Sequence, residues 1–149
     1  MGALLIGVFA GLRSLTPPAV VAWAAHAGWL HLPGSLAWVG STPAVVIFGL
    51  LALLELVGDK LPSTPARTAL PPLIARCVTG AFAGACVAAA GGGSAAIGAA
   101  LGLAGGLVGT FAGYQARLRL SQAIGAPFVA AVIEDAVTIL GAFWVVSRF

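Results

Sequence analysis

Apolar residues run along this chain in five long blocks, at 2–27, 36–57, 70–90, 95–114 and 126–147, and polar residues gather in the links between them. Each block comes close to the ~20 apolar residues that a helix needs to cross ~30 Å of hydrocarbon. The pattern predicts an all-α, polytopic membrane helix bundle of about five transmembrane segments, built as one integral membrane domain over residues 1–149. The first link, 28–35, carries the turn signal Pro33-Gly34, and Trp23, Trp29 and Trp38 surround it as an aromatic belt does at one membrane face. The second link, 58–69, holds Asp59, Lys60, Pro62, Pro65 and Arg67; the third is Gly91-Gly92-Gly93-Ser94; the fourth, 114–125, contains Arg117 and Arg119.

The first block is interrupted. Pro17-Pro18 removes two backbone donors, and a residue preceding proline is pushed away from helical dihedrals. The segment is therefore kinked or broken between Arg13 and Pro18, either as one bent span or as two half-helices. The interruption gathers a cation (Arg13), two hydroxyls (Ser14 and Thr16) and freed backbone groups at membrane depth. Irregular backbone is tolerated there only inside protein or against a water-filled cavity. A half-helix starting near Pro17 would offer a positive dipole end which, with Arg13, suits an anionic group.

Composition fixes the class. Of 149 residues 60% are hydrophobic and 7% charged, against roughly 25% charged in soluble domains, so the chain cannot cover its own surface in water. The few basic residues are unclustered, and no nucleic-acid partner is expected; membrane lipid is. The first block lacks a basic region before it and runs on into Arg13-Ser14 rather than a cleavage site, so a cleavable signal peptide is not expected. Cys77 and Cys86 are nine apart in one apolar block, and His26 and His31 have no carboxylate or thiol company. They read as buried small residues and interfacial residues; no metal and no cofactor is expected.

Basic residues set the expected topology. Lys60, Arg67, Arg76, Arg117 and Arg119 fall in or beside the second and fourth links. The positive-inside rule puts those links in the cytoplasm, which for five crossings places the N-terminus inside and Arg148 outside.

Glycine spacing predicts close helix packing. Gly7 and Gly11, Gly80 and Gly84, and Gly109 and Gly113 are GxxxG pairs, and the fourth block carries two stripes, Gly98-Gly102-Gly106 and Gly105-Gly109-Gly113. Small residues every fourth position let backbones approach where lipid removes the hydrophobic drive. Two stripes on one helix suggest a central segment with packing surface to spare, hence a homo-oligomer, most simply a homodimer. A faint repeat links Gly7-Val8-Phe9-Ala10-Gly11, followed by Arg13, to Gly109-Thr110-Phe111-Ala112-Gly113, followed by Arg117.

Four ionisable residues lie inside apolar blocks: Arg13, Glu55, Glu134 and Asp135. Charge in hydrocarbon is costly and normally meets a partner, protein interior or water-filled cavity. Arg13 and the two carboxylates have comparable expected depths, so a pair between them is reasonable. Adjacent residues on a helix point ~100° apart, so Glu134 and Asp135 cannot face the same partner. Glu55 and Asp59 share a helix face, with Lys60 beside them, and Arg67 or Arg76 could neutralise Glu55. The candidate binding or transport residues are thus Arg13, Ser14, Thr16, Glu55, Asp59, Lys60, Glu134 and Asp135.

Ala10-Gly11-Leu12-Arg13-Ser14, Leu36-Ala37-Trp38-Val39-Gly40-Ser41 and Glu55-Leu56-Val57-Gly58-Asp59-Lys60-Leu61-Pro62 resemble the signature segments of a bacterial membrane family, the domain of unknown function 4126. The resemblance covers most of the first half. It implies a small multi-span protein of the bacterial cytoplasmic membrane and a site shared by Arg13, Glu55, Asp59 and Lys60, and it transfers no catalytic role.

The chain contains no P-loop, dinucleotide fingerprint, nucleophile elbow or HExxH motif, so no enzyme activity is expected. The leading expectation is a transporter or channel for a small ion or polar solute. The rival is a membrane scaffold or partner-binding protein whose ion pairs only set packing; a third reading is a lipid-handling protein.

Overall fold

The computed structural model describes residues 1–58 and 69–149. Asp59, Lys60 and Arg67 lie outside the described residues. Those that are described form α1 (Gly2–Leu12), α2 (Thr16–His26), a 3-10 helix (Gly34–Gly40), α3 (Thr42–Gly58), α4 (Leu70–Ala90), α5 (Ala95–Ile124) and α6 (Pro127–Val146). Three of them, α4, α5 and α6, are long and apolar enough to cross a membrane; the 3-10 helix with α3, bent by 62°, makes a fourth candidate.

Prolines start helices here rather than bend them. Pro17-Pro18 lie in the first turn of α2, Pro71-Pro72 in that of α4, and Pro127 opens α6. First-turn N–H groups have no partner within a helix, so proline loses nothing there. Arg13, in extended backbone at φ −142°, ends α1. The first block is therefore two half-helices joined through Arg13, Ser14 and Leu15.

The two halves run in opposite directions. A Cβ on Gly2 would stand 3.1 Å from the Phe149 ring, and α1 then runs parallel to α5, with Leu4 against Gly105 and Val8 against Gly109. On the return, Thr16 and Ile139 line one groove, Trp23 stacks edge-on against Phe143 at 5.2 Å, and Trp29 and His31 share a cavity with Val146 and Phe149. α1 and α2 thus form a re-entrant hairpin. It enters and leaves at the end where α6 finishes, and its tip is about 17 Å inside, at ~1.5 Å per residue over 11 residues. Both termini and the α4–α5 turn sit at that same end, because Phe149 also meets Gly91. Five alternating crossings would have separated Met1 from Phe149.

α1 is wedged between α4 and α5. A Cβ on Gly7 would fall 2.2 Å from the Gly102 carbonyl oxygen, on Gly109 2.1 Å from that of Val8, and on Gly84 2.4 Å from that of Gly98. The two glycine stripes of α5 meet α1 and α4 of the same chain.

Helix α5 also overruns the link expected at 114–125, because no glycine or proline occurs between Tyr114 and Ile124. It stops at Gly125, whose φ of +68° suits a residue without a side chain. At the other side of the bundle, α3 packs on α2 and the 3-10 helix, and only Ala44 and Ala52 of its residues are buried. His26 Nδ1 lies 2.9 Å from the Gly40 carbonyl and ties the 3-10 helix to the end of α2. Trp38 of that helix stacks on Phe48 and Phe82.

Candidate functional site

Breaking a helix in mid-membrane frees backbone groups, and the polar residues around the tip of the hairpin satisfy them. Glu55 of α3 accepts three hydrogen bonds: from the Ser14 amide at 2.7 Å, the Ser14 hydroxyl at 2.6 Å and the Leu15 amide at 2.8 Å. Those amides open α2, so the carboxylate sits on the positive end of that helix. On the other arm, the Gly11 carbonyl near the end of α1 accepts from the Thr110 hydroxyl of α5 at 3.3 Å.

Arg13 is fully buried, and its Nε donates to Asp135 Oδ1 at 2.5 Å, with Nη2 against the same oxygen. Its neighbour Glu134 turns to α5, where Arg117 Nη1 lies 3.3 Å from Oε2. The ~100° step between consecutive helical residues thus gives each carboxylate of α6 its own arginine on its own helix. Removing Arg13 from water costs several kcal/mol, offset only by close charge contact and further hydrogen bonding.

The structure brings Arg13, Ser14, Glu55 and Asp135 together at the tip and joins Glu134 to Arg117. Thr16 is buried in the first turn of α2, and its hydroxyl has no hydrogen-bond partner among the described residues. Of the two arginines considered as neutralisers of Glu55, Arg67 lies outside the described residues, and Glu55 takes N–H groups and a hydroxyl rather than Arg76. The anion suited to the start of α2 is therefore supplied by the chain itself. Among the described residues no group of three or more His, Cys, Asp or Glu could hold a metal ion.

Arg117 and Thr110 complete the network and were not among the candidates. The repeat carried the signal: Thr110 lies within the second pentad and Arg117 follows it, as Arg13 follows the first. Helices α1 and α5 lie parallel in contact, so the two arginines reach consecutive positions of α6.

The family model described as Domain of unknown function (DUF4126) matches residues 1–147. The chain belongs to this family. No curated protein and no solved structure matches it. Family membership agrees with a multi-pass helical membrane protein. The signature segments resembled in the first half map onto the hairpin tip, the 3-10 helix and, as far as Gly58, the Glu55 end of α3; the first and the last of these supply Arg13, Ser14 and Glu55 to the buried polar network.

Proposed function

We propose that this family member moves a small ion or polar solute across the cytoplasmic membrane, with α3 as the mobile wall and the hairpin tip as the closed gate. One observation carries the reading: the Glu55 carboxylate of α3 holds the tip by accepting from the Ser14 amide and hydroxyl and the Leu15 amide. α1 is fixed by backbone contact with α4 and α5, whereas α3 is largely exposed and rests on α2 and the 3-10 helix. Loss of the Glu55 contacts would free α3 from the tip and uncover the α2 N-terminus, Ser14 and the Arg13–Asp135 pair at mid-depth. Half-helix ends at that depth are where transporters place solute and coupling ions.

The orientation follows from charge. Arg76, Arg117 and Arg119 lie toward the end opposite the termini. That end is the cytoplasmic one by the positive-inside rule. The hairpin then enters from the non-cytoplasmic face, and the N-terminus is outside, reversing the orientation expected for five crossings.

A second reading, the scaffold, is favoured by the closed form of the Arg13–Asp135 pair. Flux in proteoliposomes separates the two, using osmotic swelling and dyes for protons, sodium, potassium and chloride. Transport requires a flux that Arg13→Ala abolishes and Glu55→Gln makes leaky. No flux for any solute, with both variants altering stability alone, would leave the scaffold.

A further inference from the structure

The short return arm of the hairpin leaves a cleft in the bundle. α2 forms its floor, and α3 and α6 its walls. It runs from Trp23, Val45 and Phe143 near the end bearing the termini to Thr16, Leu56 and Ile139 near the tip, with a volume of about 300 Å³. Its length along α2 is about 10 Å, at ~1.5 Å per residue. The lining carries no charged side chain, and Thr16 is its sole hydroxyl. Leu53 and Trp23 on its rim are 57% and 39% exposed, so the cleft opens sideways toward lipid.

Thr16 is the anomaly. It is 4% exposed, and its Oγ1 has no hydrogen-bond partner among the described residues, whereas buried hydroxyls are nearly always bonded. It sits in the first turn of α2. Thr16 lines the cleft, and a change of χ1 rotamer exchanges the positions of its methyl and hydroxyl.

We propose that this cleft binds a neutral, lipid-soluble carbonyl compound of the quinone class, with its carbonyl oxygen accepting from Thr16 and its ring and tail along α2. Charge complementarity selects the class. An uncharged lining beside a Glu55 that already neutralises the α2 N-terminus admits no ionised head group. The edge-on Trp23–Phe143 pair at 5.2 Å gives a planar ring an aromatic wall. An acceptor at Thr16 relieves an orphan donor that no hydrocarbon chain can satisfy. The site is independent of the transport reading, since it needs neither flux nor movement of α3.

The test uses the full chain in nanodiscs and titrates decyl-substituted benzoquinone, read as tryptophan fluorescence quenching above that of soluble indole in empty discs. The expected result is saturable quenching. Thr16→Val, which keeps shape and removes the donor, should weaken it about fivefold, as loss of one net hydrogen bond does. Gly49→Leu should abolish saturation by filling the cleft, and a Cβ there would meet nothing within 4 Å, so the backbone can carry the change. Decylbenzene should bind more weakly than the quinone and equally to the wild type and Thr16→Val. Quenching that stays linear, or that neither variant changes, overturns the site. Decylbenzene or ionised decanoate binding as tightly as the quinone overturns the ligand class.

Discussion

Arg13 and Asp135 are separated by 122 positions in sequence, yet Nε of the first lies 2.5 Å from Oδ1 of the second. The contact ties the end of α1 to the middle of α6, and Arg13 has no exposed surface. Asp135→Ala should therefore take an ion-pair partner from a buried guanidinium and cost about 3–5 kcal/mol, while Arg13→Met with Asp135→Leu should recover much of that loss. A double-mutant cycle read by denaturant unfolding measures the coupling; a value near zero would mean that the pair contributes nothing beyond its separate parts.

Glu55→Gln keeps the shape of the side chain and removes its charge. Charge-assisted hydrogen bonds are worth roughly 1.5–3 kcal/mol each against about 1 for neutral ones, so α3 should loosen from the tip while α1 stays in place. Hydrogen exchange should accelerate at the Ser14 and Leu15 amides and along the Glu55 end of α3, with α1, α4 and α5 unchanged. Uniform acceleration across all helices would instead mean that Glu55 supports the whole fold and is no local clasp.

Glycines of the α1–α4–α5 core should respond very differently from those at the lipid face. A Cβ on Gly109 would lie 2.1 Å from the Val8 carbonyl oxygen and one on Gly102 2.1 Å from that of Gly80, whereas Gly49 has open space. Backbone cannot yield as a flexible side chain does, so Gly109→Ala or Gly102→Ala should cost at least the ~1–3 kcal/mol of overpacking. Gly49→Ala should be neutral or stabilising through the restricted unfolded chain. Thermal unfolding in detergent orders the three; equal melting points would refute the close approach.

Much of this arrangement was legible in the residues. Hydropathy placed the helices, Pro17-Pro18 placed the break, and the ~100° step between Glu134 and Asp135 required separate partners for them. The path of the chain was not legible. A broken segment with 11 residues in each arm can continue across the membrane or turn back, and both satisfy the same hydrophobic pattern. What decides between them is tertiary: Gly7 and Gly11 drive α1 into α5, and Trp23 draws α2 toward Phe143. The use of α5's two stripes within one chain was hidden for the same reason, since small-residue spacing does not say whose backbone comes close. Glu55 was recognisable as a buried acid, but its attachment to backbone amides depends on where α3 ends relative to the tip.

The return of α2 also fixes a topological parity that labelling can read. With Cys77 and Cys86 replaced by Ser, single cysteines at His31, Gly92 and Arg148 should all react with an impermeant maleimide from the same side of intact cells, and one at Arg119 from the other. A tag ahead of Met1 should share the side of Arg148, because Gly2 packs on the Phe149 ring. The charge rule makes that side the outer one, with the Arg119 site protected until the membrane is opened. Five alternating spans would put the Met1 tag and Arg148 on opposite sides. That outcome would dismantle the re-entrant hairpin, and with it both the gate at Arg13, Ser14 and Glu55 and the cleft above α2.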